Sequence, residues 1–139
     1  MTKKMSKVLE MNNTRVVIKS VGSDFMASIS SSLPSSYVSV CSLKSTREEA
    51  LQVAFYDFSQ ELNDRKIWEH NSLPQRCDDG DIVLYDSSSL DYLEYEEQQD
   101  GNKVCTIKIG DAVATSATIS YQSATYNACK KIANYFINK

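Results

Sequence analysis

The sequence predicts an α+β protein, with antiparallel strands in two βββα units and two amphipathic helices packed on the sheet or sheets. Two observations predict this class: runs of β-branched residues alternate with turn residues, and two segments carry apolar residues at helical spacing. A chain of 139 residues is long enough to bury the core of one compact domain. The predicted parts are a loose arm (residues 1–13), a first unit (14–66), a connecting segment (67–90) and a second unit (91–139).

The first unit begins with a hairpin. RVVIKSV (15–21) and FMASISS (25–31) are strand-like runs on either side of a turn at Gly22. After Pro34, YVSVCSL (37–43) predicts a third strand. These segments therefore predict three antiparallel strands before the first helix.

The helix of the first unit has the clearest pattern in the chain. Ser45 followed by Glu48 matches a capping box, in which the serine oxygen and the carboxylate each accept a backbone N–H. Apolar residues then recur at helical spacing through about residue 63, namely Leu51, Phe55, Phe58 and Leu62. We expect this stripe to cover the first strands.

The second unit repeats the order of three strands and a helix. A strand around residues 92–96, a turn at 100–102 and the strand VCTIKI (104–109) come first. Alternation over residues 113–120 predicts one apolar face, made of Val113, Ala117 and Ile119. The final helix begins at about Gln122, and its apolar stripe consists of Ala128, Ile132 and Phe136, with Cys129 and Ala133 alongside.

Composition limits the classes of function. Fifteen Lys and Arg against eighteen Asp and Glu give a formal charge of −3, which supplies no global attraction to nucleic acid. No apolar run is long enough to cross a bilayer and the N-terminus lacks a signal-peptide core, so we expect an intracellular protein. The four cysteines form no CxxC pair, so we expect free thiols and neither a metal nor a cofactor.

The connecting segment holds the residues of an enzyme hypothesis. His70 is the single histidine, and together with Cys77 it would form a nucleophile pair. The acidic turn at 78–81 lacks the ligand spacing of an EF-hand, and DIVLYD (81–86) is a possible strand. We expect His70 to lie in an exposed loop, and we rank enzymatic activity last.

Acidic residues and tyrosines interleave in the second unit. Glu94 and Glu96 alternate along one strand, which predicts an exposed sheet face rather than a catalytic pocket. Acidic surfaces that carry tyrosine are common in protein-binding faces. The predicted partner-binding residues are Tyr92, Glu94, Tyr95, Glu96, Glu97, Tyr121 and Tyr126.

Residues 93–137 (LEYEEQQDGNKVCTIKIGDAVATSATISYQSATYNACKKIANYFI) resemble a double-stranded-RNA-binding domain in element order, in the turn at residues 110–111 and in the alanine-rich final helix. That family binds phosphates with lysines at the start of the final helix, where this chain has residues 122–126 without a lysine. The resemblance implies a duplex RNA ligand, and the lysines available to contact it are Lys103, Lys108, Lys130 and Lys131. The segment SLKSTREEALQVAFYDF is similar in pattern to the βββα half of HicB-type antitoxin domains.

From these observations we expect a small non-enzymatic binding or regulatory protein, for example an inhibitor, that contacts a protein partner through the acidic, tyrosine-bearing surface. The alternative is a module that binds double-stranded nucleic acid. Strands 15–21 and 113–120 have few charges to protect a sheet edge, which predicts a homodimer formed by edge pairing.

Overall fold

A computed structural model describes residues 5–34, 36–69, 73–77 and 91–139, with the backbone alone for residues 5, 6 and 73–77. Its strands and helices follow the apolar periodicity of the sequence. The strands are β1 (Met5–Val21), β2 (Asp24–Leu33), β3 (Ser36–Lys44), β4 (Leu73–Cys77), β5 (Asp91–Glu97), β6 (Lys103–Ile109) and β7 (Ala112–Thr118). The α-helices are α1 (Arg47–Asp64) and α2 (Tyr121–Ile137), and a 3-10 turn covers Ile67–Glu69. The α+β class is thereby confirmed, while the prediction for residues 81–86 and that for His70 lie outside the described residues.

One antiparallel sheet joins the strands of both halves of the chain. Its order is β3-β2-β1-β5-β6-β7, and β4 pairs with β1 off this path. The long strand β1 pairs with β5 through residues 6–11 and with β2 through residues 12–21. Because β1 belongs to both groups of strands, the prediction of two βββα units is not confirmed.

A bulge at the middle of β1 allows this strand to serve both groups. Asn12 pairs with Ser32 and Arg15 with Ser30, so β1 has one residue more than β2 at this point. Asn13 has a φ of 54°, a left-handed conformation that asparagine adopts more readily than most residues. Where the sequence predicts a loose arm over residues 1–13, the structure places Met5–Asn13 in β1.

The bulge also changes which positions of β1 face the helices. Before it, the odd-numbered Leu9 and Met11 are buried in the core. After it, the even-numbered Val16 and Ile18 pair with the buried Ile29 and Ala27 and pack against the core. The single extra residue therefore keeps both halves of the strand apolar on the same face of the sheet.

Helix α1 covers the first half of the sheet, where it contacts β2 and β3. As the periodicity predicts, Leu51, Phe55, Phe58 and Leu62 are fully buried. The predicted cap residue is wrong by one position. Thr46, rather than Ser45, is the N-cap, and its Oγ1 accepts the N–H of Glu49 at 3.1 Å.

Helix α2 covers the second half and contacts β6 and β7. The predicted inner face of β6 is confirmed, since Cys105, Ile107 and Ile109 are buried. The predicted face of β7 is wrong, because Val113, Ala117 and Ile119 are exposed. The inner face of β7 instead carries the small residues Ala112, Ala114 and Ser116, on which the alanine-rich helix packs.

The two helices lie side by side and antiparallel, since contacts join the beginning of each to the end of the other. At the start of α1, the Arg47 guanidinium donates to the carbonyls of Phe136 and Ile137 at 2.9 and 3.0 Å. At the other end, the side-chain amide of Asn63 donates to the carbonyl of Gln122 at 3.3 Å. Within the described part of the chain, neither helix has the length and apolar character needed to span a membrane.

Candidate functional site

A groove of about 320 Å³ lies between α1 and α2. Helix α1 contributes residues one turn apart, and helix α2 contributes residues along one helical face, where positions four and seven apart are neighbours. The groove is lined by Gln52, Val53, Tyr56, Tyr126, Lys130, Ala133 and Asn134. It therefore exists only because the two helices pack side by side.

Two tyrosines of the lining, one from each helix, are in contact with each other. The rings of Tyr56 and Tyr126 meet edge to face, with their centroids 5.6 Å apart and an interplanar angle of 85°. Tyr56 is 48% exposed, which is a large fraction for an uncharged aromatic side chain, and Tyr126 is half-buried. The site thus presents aromatic surface to solvent in a concave setting.

The remaining lining residues give the groove an amphipathic character. Val53 and Ala133 supply apolar surface, while Gln52 and Asn134 supply amide donors and acceptors. Among the described lining residues, Lys130 is the charged one and none is a carboxylate. We call this set of seven residues the helix groove.

The structure divides the predicted acidic, tyrosine-bearing surface between two faces of the sheet. Tyr95 points toward the helices and is 2% exposed, with its hydroxyl 2.9 Å from the Thr125 hydroxyl. Burial raises the pKa of Tyr95 well above its ordinary value. Tyr92, Glu94 and Glu96 alternate with Tyr95 along β5 and so point to the opposite face.

The predicted exposure of Glu94 is wrong, because its side chain is only 8% exposed. Its strand β5 lies between β1 and β6, and Glu94 is paired with the fully buried Val8 on one side. Tyr92 on the same face is buried as well, and Glu96 is half-buried. The burial of these side chains therefore limits the access of a partner to this set.

Glu97 and Tyr121 lie together near the start of α2. The carboxylate of Glu97 is 2.9 Å from the ammonium of Lys103, and that ammonium lies 5.8 Å from the centre of the Tyr121 ring. Tyr121 also stacks on Trp68 at 5.7 Å. Desolvation, followed by the nearby Glu97 charge, raises the pKa of Tyr121.

The four lysines predicted for RNA contact point in different directions. Lys103 is paired with Glu97, and Lys130 lines the helix groove. Lys108 lies on β6 opposite Tyr92, on the face away from the helices. Lys131 donates to the Thr115 carbonyl at 2.7 Å. The structure therefore does not bring these cations into one patch of the kind that phosphate binding uses.

Two of the three cysteines whose side chains are described have little reactive character, because they are buried. Burial raises the pKa of the Cys105 thiol to about 12 and that of Cys129 well above its ordinary value, so both are neutral near pH 7. Cys41 is exposed. The described residues contain no group of three or more His, Cys, Asp or Glu that could hold a metal ion. His70, the Cys77 side chain and residues 78–81 lie outside this description.

Two residues of the helix groove, Tyr126 and Lys130, were predicted from the sequence as site residues, but on two different surfaces. Tyr56, Gln52 and Asn134 were not predicted. The signal for Tyr56 was its position directly after the buried Phe55, which places an exposed aromatic ring at the border of the apolar stripe. Only the antiparallel packing of the helices brings these residues together.

Comparison with known proteins adds no relative to this picture. No family model, curated protein or solved structure matches the chain.

Proposed function

We propose that this protein is a non-enzymatic binding protein that contacts a protein partner through the helix groove. The observation that carries the proposal is the solvent-facing pair of Tyr56 and Tyr126 in a concave site with apolar surface beside it. Tyrosines in such settings account for much of the binding energy of protein interfaces, because each ring offers a large rigid surface and a hydroxyl.

The chemistry of the groove favours a particular kind of partner segment. The rings, Val53 and Ala133 fit an apolar or aromatic side chain, and the amides of Gln52 and Asn134 suit backbone groups of the bound segment. The ammonium of Lys130 favours a carboxylate beside that anchor. The proposed ligand is therefore an exposed segment with an apolar anchor and a neighbouring acidic residue.

We also propose that each helix and the three strands before it form a related βββα unit, with both units built into one sheet. Support comes from the packing, since α1 lies on β2 and β3 whereas α2 lies on β6 and β7. The helix groove then lies at the junction of the two units, which explains why each contributes one of its tyrosines.

Affinity purification of the tagged full chain from its native cells tests the function. We expect specific protein partners whose recovery falls with Tyr56→Ala and Tyr126→Ala, because truncating a central interface tyrosine costs about 2 kcal/mol, or more than tenfold in affinity. Tyr37→Ala is the matched control. Tyr37 is also exposed, but it lies on β3 outside the groove, and its removal should leave recovery unchanged.

Two further arms separate this proposal from its competitors. Glu97→Gln alters the exposed acid of the surface predicted from sequence, and loss of the partner in that variant alone would move the interface to Glu97 and Tyr121. Nuclease treatment before purification should leave the partner bound. Loss of the partner on nuclease treatment, together with a salt-dependent shift of a generic RNA duplex, would favour nucleic-acid binding instead.

A further inference from the structure

Strand β7 forms one edge of the sheet among the described strands, and its sequence AVATSAT contains no charged residue. On its face away from the helices, Val113 is 57% exposed, and Ile119, which follows the strand, is 88% exposed. Natural edge strands usually carry charges, proline or a bulge that prevents pairing with another chain. The side chains of β7 provide no such protection.

The backbone of β7 is oriented so that it can accept another strand. The Thr115 carbonyl accepts a hydrogen bond from Lys131 at 2.7 Å, and the hydroxyls of Thr106 and Thr115 are 2.9 Å apart. Such close cross-strand side chains are typical of an antiparallel pair that does not exchange backbone hydrogen bonds. The backbone groups of Thr115, and of Val113 and Ala117 two positions away, therefore point to the edge.

We propose that β7 pairs with β7 of a second copy of this chain, antiparallel, with Ser116 opposite Ser116 on a two-fold axis. In this register the edge-facing backbone groups of Thr115 meet those of the partner's Ala117. The same register sets Val113 against the partner's Ile119 and Ile119 against the partner's Val113. The interface extends the sheet of each copy into one continuous sheet.

Self-complementarity favours a second copy over an unrelated strand. Since one strand supplies both Val113 and Ile119, a two-fold axis covers both exposed hydrophobic residues on each chain at once. No charged residue of β7 meets a like charge, because the strand has none. The hydrogen bond from Lys131 to Thr115 is replaced by the N–H of the partner's Ala117, and the lysine turns to solvent.

Sedimentation analysis of the full chain over micromolar concentrations tests the association. We expect a reversible dimer. Val113→Lys should raise its dissociation constant about tenfold or more, because the new ammonium is placed against the partner's apolar Ile119. Leu43→Lys is the matched control, since Leu43 is an exposed apolar residue on β3 at the other end of the strand order. A wild-type chain that stays monomeric, or a dimer weakened by Leu43→Lys alone, overturns the proposal.

A cross-linking experiment tests the register independently. In a Cys41→Ser, Cys77→Ser background, mild oxidation of mixed Thr115→Cys and Ala117→Cys chains should form a mixed covalent dimer. These two exposed positions are directly opposed in the proposed register, and such residues of a hydrogen-bonded pair have Cα atoms about 5.5 Å apart, within disulfide range. Thr115→Cys alone and Ala117→Cys alone should link more slowly, because each position lies two residues away from its own copy. Faster linkage in either single variant contradicts the register, and circular dichroism confirms that both variants are folded.

Discussion

The helices that cover the two halves of the sheet differ in the size of the side chains that they bury. Helix α1 buries two phenylalanines and two leucines, together with Ala50, Ala54 and Ser59. Helix α2 buries mostly small residues, namely Ala124, Thr125, Ala128, Cys129 and Ala133, with Ile132 as the larger exception. Large side chains fill the space under α1, whereas α2 lies over the alanines of β7. The same layered architecture is thus built with large buried side chains on the helix of one half and with mostly small ones on the helix of the other.

This comparison predicts that the halves are sensitive to opposite changes in volume. In α1, loss of side-chain volume leaves a cavity that the surrounding side chains cannot fill. In α2, added volume has no space to occupy, because interiors are packed as densely as organic crystals.

The largest expected effect is that of Phe55→Ala in α1. Phe55 is fully buried and stacks on Phe136 at 5.6 Å, so its truncation should lower the free energy of unfolding by about 3–5 kcal/mol in urea melts. Tyr56→Ala removes an aromatic ring at the neighbouring, 48% exposed position and should lower it by only about 1 kcal/mol, through loss of the contact with Tyr126. Equal losses in the two variants would contradict the assignment of the buried face of α1.

The second effect is that of Ala128→Leu in α2. Ala128 is fully buried, and the added methylenes should cost about 1–3 kcal/mol through displaced neighbours. Lys130→Leu places the same side chain at an exposed position of the same helix and should change stability by about 0.5 kcal/mol or less. A stabilising Ala128→Leu variant would show that α2 leaves space above the sheet.

The third prediction is a loss of stability at alkaline pH that comes from the two buried thiols of the second half. Burial raises the pKa of Cys105 from 9.0 to about 12, so this thiol stays neutral in the folded chain while the unfolded chain ionises. The contribution of the neutral thiol to the free energy of unfolding is therefore fully present below pH 9.0. It is lost as pH rises toward 12, by about 1.4 kcal/mol per pH unit for each such group. Cys129 acts in the same direction.

Urea melts between roughly pH 8 and pH 11, a range that includes the ordinary thiol pKa of 9.0, measure this loss. The slope of stability against pH should flatten in a Cys105→Ala, Cys129→Ala variant. Cys41→Ser is the control for removal of a thiol from the exposed surface of the first half. An unchanged slope in the double variant would assign the alkaline loss to other groups, Tyr95 foremost.

The smallest expected effects concern the helix caps, in which the halves are alike. Thr46→Ala removes the acceptor of the Glu49 N–H, and Ser120→Ala removes the acceptor of the Ser123 N–H at 3.2 Å. Each should cost about 1 kcal/mol in urea melts. Ser45→Ala should leave the free energy of unfolding nearly unchanged. A larger loss of stability in Ser45→Ala than in Thr46→Ala would show that Ser45 is the cap, as the sequence predicts.

Elements with a local signal were predictable from the sequence. The buried stripes of both helices follow helical periodicity, and the inner faces of β2, β3 and β6 follow strict alternation. The cap of α1 was ambiguous for a local reason, since Ser45 and Thr46 are both capping residues and each has a glutamate three positions later. Periodicity thus located the helix better than its first residue.

Features that depend on packing across the molecule were not predictable. Polar residues 12–14 interrupt β1, and the bulge at Asn13 changes its inward positions from odd to even, so no single alternation runs through the strand. The outward Val113 and Ile119 misled the prediction for β7, because apolar residues were assumed to point inward. The helix groove required the antiparallel contact of α1 and α2, which neither helix specifies alone.

The bulged strand β1 has a consequence for the order of events during synthesis. Its residues 12–21 find their partner in β2, which leaves the ribosome almost at once, and the hairpin can close beside α1. Residues 6–11 pair with β5, whose first residue is Asp91, so Leu9 and Met11 lack their central partners until most of the chain has emerged. Contacts between such distant residues close slowly, and the nascent chain exposes apolar surface meanwhile. A ribosome-bound chain that ends before β5 is therefore the species in which we expect chaperone binding to be strongest.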